Sequence, residues 1–216
     1  LLVYAFVASI LPVQTLLQPR DFLNAWQLFI ALGLLLVGAL VAGGSGQLTM
    51  VAPAVVVAPD GAPSMMPFLF ITIACGAISG FHSLVASGTT SKQLNSEVDA
   101  VPVGYGSMLI EAALAVMVIV ACCAGIGMGY PSEEGAILMG LDAWRSHYFS
   151  WGASAGLASK IQAVVVGCAN MMTSLGIPQS FGMVIMGVFI ASFAGTTLDT
   201  STRLQRFMIS ELSRSF

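Results

Sequence analysis

Residues Pro67–Thr90, PFLFITIACGAISGFHSLVASGTT, constrain this chain more than any other stretch. The segment is long and apolar enough to enter a bilayer. Yet Gly76, Ser79, Gly80, His82, Ser87, Gly88, Thr89 and Thr90 crowd its second half. An unpaired polar side chain in hydrocarbon is costly, so a lipid-facing helix has no use for such groups. Small residues let a second backbone approach, and hydroxyls with an imidazole offer ligands to water or a solute. Two readings follow: a tightly packed interior helix with satisfied hydroxyls, or the lining of a transport path. For the cluster as a whole the second is favoured.

The rest of the chain agrees with a membrane setting. Of its 216 residues 57% are hydrophobic and only 8% charged, against roughly 25% charged in a soluble domain. A net charge of −3 with no basic run excludes a nucleic-acid partner. The cysteines, Cys75, Cys122, Cys123 and Cys168, lie in apolar segments without a CxxC pair, and His82 and His147 are far apart. Neither a structural zinc site nor haem attachment is indicated, and no cofactor or metal is expected. The thiols read as small buried apolar groups. The chain opens at Leu1 inside an apolar run and ends inside a helical pattern, so it reads as an excerpt of a longer protein.

The expected architecture is all-α: one polytopic transmembrane domain over residues 1–216, a fragment of a secondary transporter with broken helices. Spans are expected at about 1–17, 26–42, 67–86, 104–127, 153–175 and 177–194. The first should stop at Gln18-Pro19-Arg20-Asp21, where proline and two charges break the pattern. Gly43–Met66, with Pro53, Pro59 and Pro63, reads as an extended loop outside the hydrocarbon. Residues 132–150 read as a helix lying along the interface, with Ser132 as N-cap and Glu133 and Glu134 in its first turn. Ile137, Leu138, Leu141, Trp144 and Tyr148 would share its apolar face, and His147 would be solvated or at headgroup level. Glu111, a lone acid in the fourth span, must be paired, protonated or open to a cavity. Lys160 snorkels to the interface or pairs with Glu111. Alternating segments put the C-terminal arginines in the cytoplasm by the positive-inside rule.

Enzymatic readings fare poorly. Ala77-Ile78-Ser79-Gly80 approaches the GxSG of intramembrane serine proteases, but His82 follows on the same helix, where the base would not reach the hydroxyl. No HExxH occurs, and Asp199 lacks a GxGD context. Breaks in helical pattern are expected at Gly76–Gly80, Ser87–Thr90 and Gly195–Ser201. Broken helices expose carbonyls to cations and amides to carboxylates, the construction of many carrier sites. Thr196, Thr197 and Thr200 beside Asp199 could coordinate Na⁺ or relay H⁺. The alternative is a helix end capped by Asp and Thr.

Four blocks, LPVQTLLQPRDFLN (Leu11–Asn24), PFLFITIACGAISGFHSLVASGTTSKQL (Pro67–Leu94), VGYGSMLIEAALA (Val103–Ala115) and GVFIASFAGTTLDTSTRLQRF (Gly187–Phe207), carry a resemblance. They cover roughly a third of the chain, and in them it resembles the carbon starvation protein A family of bacterial inner-membrane carriers. The resemblance implies a helical fold related to that of amino acid–polyamine–cation carriers. It also implies a multi-pass protein of the bacterial inner membrane that takes up small peptides or pyruvate during carbon starvation by cation symport. On that reading Ser79, His82, Thr89 and Thr90 line the path, His82 as proton carrier or carboxylate partner. Asp199 with Thr196 and Thr197 serves coupling, and Glu111 is a counter-charge. Arg20 and Asp21 form either a gate or a simple turn salt bridge. Arg203 is grouped with the gating or structural residues, and Gly76, Gly80 and Gly88 allow close approach or unwinding. The partners expected are the substrate, lipid and a further copy of the chain. The rival reading is a non-transporting membrane subunit or sensor.

Overall fold

The computed structural model describes residues 2–56, 61–78, 80–132, 136–154 and 156–214. Among these, the side chains of residues 2, 13, 14, 80–82, 89 and 153 stand outside the description. The described residues form ten α-helices in order: α1 Leu2–Ile10, α2 Val13–Gly44, α3 Met65–Ala77, α4 Gly80–Val85, α5 Ser91–Gln93, α6 Ser107–Cys123, α7 Gly140–His147, α8 Trp151–Ser154, α9 Leu157–Thr173 and α10 Gln179–Arg214. Wider π turns occupy Ala86–Thr90 and Pro102–Gly106. Two short strands, β1 Tyr130–Pro131 and β2 Ile137–Leu138, pair antiparallel. Among the described residues, Thr15–Gly44, Glu97–Met128 and Gln179–Arg214 are long and apolar enough to cross a membrane. About 20 residues suffice for that.

The chain forms two compact units, each built from interleaved segments. The first comprises Leu1–Phe29, Thr72–Met108 and Phe189–Phe216, the second Ile30–Ile71 and Leu109–Val188. In the second unit the core is Ile126, Tyr130, Ala143, Ala163 and Val166. Here α9 meets the end of α6 backbone to backbone: a methyl group at Gly125 would lie 2.6 Å from the Gly167 carbonyl oxygen, and one at Gly167 would overlap that of Ala121. Asn170 locks the contact, its amide donating to the carbonyls of Gly125 at 2.9 Å and Gly129 at 2.7 Å. Gly125 opens the 3-10 turn that follows α6 and Gly129 closes it, so one amide clasps both ends of that turn. Gln179 donates in turn to Asn170 Oδ1 at 2.7 Å.

The helix boundaries differ from expectation in three places. The chain breaks at Leu11-Pro12, because a residue before proline is pushed out of the α region, and α2 then runs through Pro19 without stopping. The anticipated break at Gly195–Ser201 is absent, since α10 is continuous. Its hydroxyls bond back instead: Thr196 to Ser192 O, Thr197 to Phe193 O and Thr200 to Thr196 O, each at 3.1 Å. Each hydroxyl proton is thereby satisfied within the helix. The expected helix over 132–150 gives way to a strand pair, Ser132 N–H donating to Ala136 O across it, while Glu133 and Glu134 lie outside the described residues. Ile137 and Leu138 belong to β2 rather than to a helical face. Gly140, at φ +60°, then turns the chain into the shorter α7, a conformation that favours glycine. The cysteines also divide: Cys168 is buried, Cys122 and Cys123 are half-buried and Cys75 is exposed.

His147 also departs from expectation. It is 6% exposed and not solvated, with Nδ1 at 2.9 Å from the Tyr130 hydroxyl. It sits on the core-facing side of α7, one turn from the buried Ala143. Burial pushes the imidazole below its ordinary value of 6.5. The unfolded chain therefore takes up a proton near pH 6.5 that the folded chain resists, and stability rises with pH across that window. Thermal melts in detergent should show the melting temperature falling as pH drops from about 7 toward 5.5. His147→Gln should flatten that slope, and an equally steep slope in the variant would remove His147 as its source.

Candidate functional site

Two polar stripes face each other in the first unit. On α2, Arg20, Asn24 and Gln27 recur at i, i+4 and i+7, and on α10, Ser192, Thr196, Asp199 and Arg203 recur at i, i+4, i+7 and i+11. Each spacing puts its members on one helical face. Asn24, 4% exposed, holds the first level: Ser192 Oγ donates to its Oδ1 and its Nδ2 donates to Thr196 Oγ1, both at 2.5 Å. One turn on, Arg20 Nη1 pairs with Asp199 Oδ2. The Tyr4 hydroxyl of α1 bridges them, accepting from Arg20 Nη1 at 2.8 Å and donating to Asp199 Oδ2 at 2.9 Å. Asp199 is fully buried.

The ion pair is incompletely satisfied. Asp199 Oδ1, Arg20 Nε and Nη2 and Gln27 Oε1 are buried with no hydrogen-bond partner among the described residues. A buried ion pair is a poor way to gain stability, because desolvating two charges offsets most of their attraction. Arg203, below the pair, is likewise buried and donates from Nη2 to the Ala8 carbonyl at 3.2 Å and to that of Leu11. It thereby caps the carbonyls left open where Pro12 ends α1.

The other residues singled out in the sequence are distributed as follows. Thr90 and Asp21 line one cavity of about 290 Å³ together with Thr200. Arg20 therefore pairs with Asp199 and not, as the turn salt bridge required, with its neighbour Asp21. A methyl group at Gly88 would lie 3.2 Å from Leu204 Cδ2, a close approach between the π turn and α10, whereas one at Gly76 would meet nothing within 4 Å. Gly76 thus ends α3 without a packing constraint, and Gly80 opens α4. Thr197 is exposed on the side of α10 away from Asn24. Glu111 is exposed, and among the described residues neither it nor Lys160 enters an ion pair. Ser79 lies outside the described residues, as do the side chains of His82 and Thr89. No group of three or more His, Cys, Asp or Glu among the described residues could hold a metal ion.

Tyr4, Asn24, Gln27 and Ser192 escaped the sequence reading. The signal was present in the polar i, i+4, i+7 spacing inside otherwise apolar helices. That signal becomes legible only once Pro19 is known not to end α2.

Long apolar helices joined through a buried arginine–aspartate pair define an all-α membrane protein. The family model described as carbon starvation protein CstA matches residues 1–140 and 141–216, and the chain belongs to that family. It is 37% identical to the peptide transporter CstA of Helicobacter pylori strain J99, over 97% of this chain and 34% of the relative. It is 34% identical to the pyruvate/proton symporter BtsT of Escherichia coli K12, over 99% of this chain and 36% of the relative. The peptide transporter CstA of Bacillus subtilis strain 168 is 35% identical, over 97% and 37%. The chain thus spans about a third of the length of the curated relatives it matches. No solved structure matches it.

Proposed function

We propose that this chain is part of a multi-pass secondary transporter of the bacterial inner membrane that takes up small peptides or pyruvate under carbon starvation, driven by H⁺ or Na⁺. The observation that carries the reading is the Arg20–Asp199 pair, bridged by Tyr4 and held between α2 and α10. On α2 the continuous apolar run begins near Trp26, six residues past Arg20, and on α10 it ends near Ala194, five residues before Asp199. At about 1.5 Å per residue both charges lie some 7–9 Å beyond the apolar run, where a gate between water and hydrocarbon would stand. Asp199 is the coupling group in this reading: protonation, or a cation on its free Oδ1, releases Arg20 and loosens α2 from α10. Thr90 and Asp21 line the path beside that gate. The names of the relatives, one of them a proton symporter, support carrier chemistry over hydrolysis.

The test is uptake of labelled pyruvate and a labelled dipeptide by the full gene product in cells lacking other carriers, with and without proton or sodium gradients. Saturable, gradient-dependent uptake of one compound is expected. Uptake of neither, with the protein verified in the membrane, would sink the carrier reading and favour a subunit or sensor.

A further inference from the structure

A cavity of about 320 Å³ in the second unit is walled by α7, α8, the start of α9 and the loop before α3. Its aromatic side is built by Trp144 and Tyr148, whose ring centroids lie 4.2 Å apart, and by Trp151, held edge-on to Phe68 at 5.6 Å. Pro53 and Val56 extend the apolar surface. Lys160, exposed in the first turn of α9, completes the lining. Its ammonium enters no ion pair among the described residues, and none of the described lining residues is acidic. The Ser154 hydroxyl is spent on the Ser150 and Trp151 carbonyls, at 3.2 and 3.3 Å. One unneutralised cation therefore stands beside an aromatic wall.

That combination separates the candidate ligands. A free inorganic anion would meet Lys160 but leave the aromatic and aliphatic wall uncovered. A choline group could lie on the indole faces, but the Lys160 charge opposes a second cation and no acid of the described lining offsets it. An anionic phospholipid uses both halves of the site, its phosphate facing the ammonium and its glycerol and first chain carbons facing Trp144 and Trp151. The volume is at the low end of the roughly 300–1,000 Å³ of ligand pockets, which suits a headgroup whose chains stay in the bilayer. Tryptophan and tyrosine collect at headgroup depth, and a lysine there lays its stem along apolar surface while its ammonium reaches the polar layer.

We infer that this cavity binds the phosphate headgroup of an anionic phospholipid, with Lys160 as the residue that selects a net negative headgroup and Trp144 and Trp151 as the apolar support. The site requires that the chain lie in a bilayer and is independent of what the protein transports.

Native mass spectrometry of the purified full-length protein tests it, with phosphatidylglycerol and phosphatidylcholine of identical chains as probes. The wild type should bind phosphatidylglycerol at least about tenfold more tightly, the size of one charge-assisted contact. Lys160→Gln should erase that preference while melting at an unchanged temperature in lipid-free detergent, since Lys160 is exposed. Lys160→Arg should keep it. Arg145→Gln, an exposed cation of α7 that does not line the cavity, should keep it too. Inorganic phosphate should displace the lipid no better than chloride at equal ionic strength. Equal binding of the two lipids by the wild type, or a preference that survives in Lys160→Gln, overturns the proposal. Specific displacement by inorganic phosphate overturns it in favour of a site for a free anion.

Discussion

Asp199→Asn in the full gene product abolishes gradient-driven uptake, to below about a tenth of wild type. It also lowers the melting temperature, because removing one partner of a buried ion pair strands the other at a cost of a few kcal/mol. Arg20 is the stranded group, and its side chain is only 19% exposed. Tyr4 cannot replace the carboxylate, since its hydroxyl already accepts from Arg20 and carries no negative charge. The informative variant is the double substitution Arg20→Gln with Asp199→Asn. It removes both charges and should recover most of the stability lost by either single change, the non-additivity expected of groups in contact. It should not recover uptake. Melting curves and uptake on matched amounts of membrane protein measure the two separately. A double variant that regains both would make the pair a packing device with no part in coupling.

Gly167→Val prevents the second unit from folding, and Gly167→Ala alone costs on the order of 1–3 kcal/mol or more. The obstacle is the Ala121 carbonyl, main chain within α6 that no rotamer change can move aside. Gly125 repeats the argument from the other side of the contact. Small residues at helix crossings serve this purpose in membranes, where tight van der Waals packing replaces the hydrophobic drive. Within α2 a control pair is available. A methyl group at Gly38 would lie 2.6 Å from the Met171 carbonyl oxygen, whereas one at Gly33 would meet nothing. Gly38→Ala should therefore lower the melting temperature and the yield of folded protein, and Gly33→Ala should leave both unchanged or slightly raised through helix propensity. Equal effects at the two positions would refute the close-contact account.

The membrane character of this chain was legible in its residues, because runs of apolar side chains without charges have only one comfortable solvent. So was the need of Asp199 for a partner, since a carboxylate among threonines near the end of an apolar run requires one whatever the fold. The family was legible too, from the Pro67–Leu94 and Gly187–Phe207 blocks. Which partner Asp199 takes was not legible. Arg20 has an adjacent acid in Asp21, and only the continuity of α2 through Pro19 and of α10 through Gly195 brings it to Asp199 instead. His147 was misread for a related reason. Its neighbours suggested an amphipathic surface helix, but the strand pair at Tyr130 and Ile137 shortens that helix and turns the imidazole inward. Apolar periodicity is a local property, written residue by residue, and it sets what each segment must avoid. Pairing of charges and burial of single polar groups depend on segments nearly two hundred residues apart, as Tyr4 and Asp199 are, and only the packed chain decides which of several chemically acceptable partners lies within reach.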